Sequence, residues 1–120
     1  MENRNQWDIY ENFIFKLSER RAHDEQKAEF YRNGETAFCR QMADQYSLSA
    51  SCYGWVTNGV LTAVREGKTP VEALTEVRNK IDQRKDEVIA EGVYHPSAVE
   101  ADYAYFKGNL FAQIMKMEKC

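Results

Sequence analysis

Residues 50–66 read ASCYGWVTNGVLTAVRE, and the class of the fold turns on whether this stretch is a helix or a hairpin. As a helix it places Cys52, Val56, Gly59, Val60 and Ala63 on one side, although Gly54, Gly59 and the β-branched residues all lower helix propensity. As a hairpin it has Tyr53, Trp55 and Thr57 alternating into Asn58-Gly59, with Val60, Thr62 and Val64 alternating out, which is a type I′ turn signal. Two strands alone are marginal in water, and the one companion turn in the chain is Asn33-Gly34. The helix is therefore the preferred reading. The chain is expected to be all-α, a compact bundle of about five helices, with an α+β fold carrying a hairpin at about 52–65 as the alternative.

Toward the C-terminus the signals are local and strong. Gly67 ends the element, and Thr69-Pro70-Val71-Glu72 combines a cap, a proline in the first turn and a glutamate three residues after the threonine. That helix is expected to reach Glu91 with Leu74, Val77, Ile81 and Val88 inward, and to stop at Gly92 with Val93 against Val88 in a Schellman turn. Ser97-Ala98-Val99-Glu100 repeats the capping box after Pro96. The last helix runs toward Met117 with Val99, Tyr103, Phe106, Leu110, Ile114 and Met117 on one stripe.

Toward the N-terminus, residues 5–32 read as one long helix. Trp7, Tyr10, Ile14 and Leu17 form its stripe, Arg21 and Asp24 interrupt it, and Ala28 and Tyr31 resume it. A left-handed Gly34 is expected to end this helix. A short helix from Thr36 to Tyr46 then buries Phe38, Met42 and Tyr46, and Ser47-Leu48-Ser49 breaks it.

The 120 residues make one domain, 1–120. Size scaling predicts roughly 6,700 Å² of exposed surface when folded. The 16 Lys plus Arg against 19 Asp plus Glu give a net charge of −3, which argues against a broad basic face for nucleic acid. No run of apolar residues is long enough for a membrane span. Phe13-Ile14-Phe15 follows Asp8 and Glu11, unlike a signal peptide, so the expected location is cytoplasmic. Cys39, Cys52 and Cys120 lack metal-ligand or disulfide-framework spacing and are expected to be reduced.

Two histidines, His23 and His95, limit the chemistry. Glu19 and His23 share a helix face, as do Glu72 with Glu76 and Asp82 with Asp86. These pairs would serve a small helical metal-dependent hydrolase, but no second acidic cluster completes a site, because Glu100 and Asp102 point different ways. Solvated ion pairs account for them. Cys52 has no histidine or oxyanion donor fixed beside it and reads as a buried structural thiol. His23-Asp24 reads as coincidence, and His95 belongs to a turn. No phosphate loop is present. No catalytic residue, metal site or cofactor is assigned.

Two features of the last helix point elsewhere. Ala101, Ala104, Gly108 and Ala112 form a row of small residues suited to close helix packing, with Gly54 and Gly59 as the matching surface. A homodimer seam is the second use of that row and a ligand groove the third. Trp7, Tyr10, Tyr103, Tyr105, Phe111 and Met115 are the expected interface pool, since aromatic residues and methionine are enriched where proteins meet. The chain is read as a small non-enzymatic module that binds another protein, a regulator or inhibitor of a larger machine of the kind phages and mobile elements direct at their hosts. The alternatives are the metal-dependent hydrolase and a nucleic-acid accessory factor using Arg20, Arg21, Arg78 and Arg84.

Overall fold

Residues 50–65 are helical, and they continue without a break from the segment before them. In the computed structural model, which describes residues 2–119 with side chains from Gln6 onward, the chain forms four helices. They are α1 (Glu2–Arg32), α2 (Ala37–Arg65), α3 (Pro70–Glu91) and α4 (Pro96–Glu118), and no strand occurs among the described residues. Cys120 lies outside the described residues.

The expected five helices become four because the serines at 47–49 do not break α2. Ser49 donates its hydroxyl to Asp24 Oδ2 at 2.5 Å, and Ser47 accepts from Arg32 Nη2 at 3.2 Å. Both side chains bond across to α1 instead of competing for the helix backbone, which is the usual way serine disrupts a helix. Buried Leu48 lies between them. The hairpin signal fails for a related reason. Thr57 satisfies its hydroxyl on the Tyr53 carbonyl at 2.7 Å, inside the helix. Gly54 and Gly59 are points of close approach: a Cβ at Gly54 would lie 3.1 Å from the Arg21 guanidinium carbon, and one at Gly59 only 2.9 Å from Val77 Cγ2.

The caps are mixed in outcome. Thr36 caps α2 through Cys39 N–H at 3.1 Å, and Thr69 and Glu72 form the reciprocal capping box of α3. Gly92 ends α3 in the left-handed conformation at φ 73°, but Val93 turns outward and does not cover Val88. The second capping box does not form. His95 is the cap of α4, its Nδ1 accepting from Ser97 N–H at 3.2 Å, and Pro96 takes the first helical position. Gly34 is not left-handed, since the positive-φ glycines are Gly67 and Gly92. It is needed because a Cβ there would collide with the Cys39 side chain.

Short turns make neighbouring helices antiparallel. α1 packs mainly on α2 and α3 on α4. The core runs between these two hairpins from Tyr10, Phe13 and Leu17 through Val56, Val60, Leu74 and Ile81 to Tyr103, Phe106 and Leu110. Asp82 holds Lys107 at 2.8 Å and Arg78 lies 5.0 Å over the Phe111 ring, both tying α3 to α4.

The hairpins differ in length. At 1.5 Å per residue, α1 spans about 46 Å and α3 about 33 Å. The turn at Val93–His95 meets α2 beside Gln41, Asp44 and Leu48, so the end of the α1–α2 hairpin projects beyond α3 and α4. None of residues 29–42 is buried. The molecule is accordingly a rod of 54 × 26 × 23 Å with 7582 Å² of surface, above the value that size alone predicts.

Candidate functional site

Eight large hydrophobic side chains are exposed among the described residues. Six of them fall into two groups and a solitary turn valine. One group is at the projecting end of the α1–α2 hairpin, and another is on α4.

At the hairpin end, Phe30 is 68% exposed and Phe38 60% exposed. The expectation that Phe38 is buried fails because α3 and α4 end before they reach it. Both rings instead lean on Tyr31, Phe30 at 5.1 Å and Phe38 at 6.1 Å between centroids, each edge-on. Tyr31 stacks flat on Tyr46 at 5.8 Å, and Tyr46 meets His23 edge-on at 6.3 Å. This ladder of rings takes the place of a core beneath the two helix ends. Around it lie charged side chains: Arg32 pairs with Glu29 at 2.9 Å, and Arg40 donates to the Glu35 backbone carbonyl at 3.3 Å. The result is an apolar platform with a polar rim.

On α4 the interface pool divides. Tyr103 is buried with Tyr10, and only Tyr105, Phe111 and Met115 face out, with Trp7 exposed near the other end of α1. Tyr103 and Tyr10 lie on the core stripes of their helices. Ala101, Ala104, Gly108 and Ala112 are all exposed, and no atom lies within 4 Å of a Cβ built at Gly108. The expected crossing between this row and Gly54 and Gly59 is therefore not formed within the chain. Those two glycines meet Arg21 and Val77 instead.

The acidic pairs are engaged separately. Asp82 is held by Lys107, which lowers its pKa, and Glu76 sits between Lys68 at 3.3 Å and Lys80 at 3.4 Å. Glu72 is spent on its cap, whose hydrogen bond from the Thr69 backbone holds its carboxyl below the usual range. Glu19 and His23 are exposed, and His23 Nδ1 lies 3.4 Å from Asp24 Oδ1. No cluster of three metal-ligating side chains occurs among the described residues. Of the four arginines that a nucleic-acid surface would use, Arg21 pairs with Glu25, Arg78 covers Phe111, Arg84 approaches buried Tyr103, and Arg20 is exposed beside Tyr53 and Tyr105. Burial pushes the Cys52 thiol up to about 12, which makes it a poor nucleophile, and raises Tyr103 beside it.

The polar feature that sequence reasoning missed joins three helices. Asp24 is buried, takes the Ser49 bond, and lines a cavity of about 410 Å³ with Tyr46, Ser49 and Asp102. Its serine bonds to the carboxylate and not to an imidazole, an order that differs from the Ser–His–Asp arrangement of a catalytic triad. The signal was the position of Asp24 on the α1 stripe between Leu17 and Ala28.

Asp102 carries a cost. Burial first, and the negative charge of Asp24 second, push its carboxyl up. A carboxyl raised on folding keeps its proton where the unfolded chain has lost it, so stability falls as pH rises from the ordinary value of 3.8 through the folded value. Asp102→Asn is expected to raise Tm at pH 7, and the gain should shrink below about pH 4. Thermal melts at the two pH values check this; an equal gain at both, or a loss at pH 7, would contradict it.

Comparison of the chain with protein-family models, with curated proteins and with solved structures gives no significant match. No helix among the described residues is long and apolar enough to cross a membrane.

Proposed function

We propose that this protein works by binding another protein, with Phe30 and Phe38 as its anchors. The observation that carries this reading is the exposure of both rings on a hairpin end with no core beneath it. Large apolar side chains backed by a ladder of rings and bordered by Arg32, Arg40, Glu29 and Glu35 match the layout of a binding hot spot, an aromatic centre within a charged rim. A regulator or inhibitor that acts by occupying a surface of a larger protein would need no more than this.

The double variant Phe30→Ser, Phe38→Ser tests it. Both side chains are exposed, so stability is expected to change by no more than about 1 kcal/mol in total. Affinity purification from the native cell should recover a stoichiometric partner with the wild-type chain and lose it with the variant. An unchanged set of recovered proteins, or none with the wild type, would contradict the proposal.

A further inference from the structure

The exposed residues of α4 between Ala101 and Met115 are uncharged, and their partly exposed neighbour Lys107 is paired with Asp82 of α3, whereas α1 and α3 expose mostly charged and amide side chains. At about 100° per residue the exposed residues of α4 all lie within about 60° of the direction of Gly108. Tyr105, Phe111 and Met115 are 57%, 49% and 42% exposed, and three alanines and Gly108 lie between them. We propose that this face binds a second copy of itself, with the two α4 helices antiparallel and Gly108 on the two-fold axis.

The register supports a second copy over any other occupant. A two-fold through Gly108 keeps each flank of the face on its own side and sets a residue against the partner's same-flank residue about one turn beyond the glycine; Tyr105 and Ala112 share one flank and Phe111 and Ala104 the other, so each large side chain meets a small one. Tyr105 lies over the partner's Ala112, Phe111 over the partner's Ala104, and Met115 over the partner's Ala101. Glycine meets glycine on the axis, where the backbones come closest. An isologous contact needs this self-complementarity, and antiparallel helix dipoles favour it. Large-onto-small pairing also lets the helices approach with low-energy rotamers. Covered on both copies, the face would bury on the order of 1,000 Å², the lower edge of a specific interface, so the dimer is reversible. The hairpin ends carrying Phe30 and Phe38 stand at the N-terminal end of α4, so the two-fold sends them to opposite ends of the assembly. The inference concerns a different surface from the partner-binding platform and does not rest on it.

Sedimentation equilibrium on the full chain, from micromolar to about millimolar concentration, reads the outcome. The wild-type mass is expected to rise from one chain to two as concentration increases. Gly108→Leu should fold, because nothing lies within 4 Å of its Cβ, and it improves helix propensity. It should weaken dimerisation by about 30-fold or more. Ala104→Glu, an exposed position on the same face, should do likewise, with circular dichroism confirming unchanged helix content. The Phe30→Ser, Phe38→Ser chain should dimerise like the wild type. A wild type that stays monomeric throughout, a dimer that survives Gly108→Leu, or one abolished by the Phe30 and Phe38 changes would overturn the proposal.

Discussion

Phe106→Ala is expected to cost about 3–5 kcal/mol of folding stability, and Tyr105→Ala beside it no more than about 0.5 kcal/mol. The two rings are neighbours in sequence, yet Phe106 is 2% exposed and Tyr105 is 57% exposed. Phe106 sits edge-on to Tyr53 with centroids 4.5 Å apart, a contact that fastens α4 to α2 through the middle of the core. Truncating it removes buried area and leaves a cavity that helices pinned by Asp82–Lys107 and by the Arg78–Phe111 contact can only partly close. Against a typical total of about 5–15 kcal/mol, the loss approaches global unfolding. Urea titrations at low micromolar concentration measure it as a shift in midpoint at constant slope. Equal costs at the two positions would mean that α4 is rotated, and the assignment of its outer face would fall with that result.

The second large effect lies where α2 crosses α3. Gly59→Leu places a Cβ 2.9 Å from a methyl of buried Val77, closer than packed side chains come, so the two helices must part there even though the outer carbons can enter the cavity of about 330 Å³ that both residues line. Overpacking of this kind costs about 1–3 kcal/mol, while removing a helix glycine returns up to about 1 kcal/mol. The balance is destabilising. Val77→Ala in the same chain should recover part of the loss, a coupling on the order of 1 kcal/mol in a double-mutant cycle. A Gly59→Leu protein as stable as the wild type would mean that the helices do not meet here.

These two positions show what could be read in the sequence and what could not. The α4 stripe, the Thr69–Glu72 box and the inward face of α3 depend on residues three or four apart, and periodicity exposes them directly. That reading already placed Tyr103 on the core stripe, so its inclusion in the interface pool set one signal against another. The continuity of α2 was hidden because Ser49 bonds to Asp24 and Ser47 to Arg32, partners 25 and 15 residues away on another helix. The role of Gly59 was hidden likewise, since Val77 belongs to another helix. Phe38 was misplaced for a reason of length. A stripe predicts a face, but burial needs a neighbour opposite, and α3 and α4 are too short to supply one. The unequal lengths of the predicted helices, residues 5–32 against 69–91, held the clue to that overhang.

The central claim is that the rings at the end of the α1–α2 hairpin contact another protein. A photo-crosslinking residue at position 38, compared with one at exposed Glu87 on the charged face of α3, tests this in the native cell. The account predicts one discrete heavier adduct from position 38, composed of this chain and a different protein, and none of that mass from position 87. Adducts of the same mass and yield from both positions, or none from position 38, would contradict it.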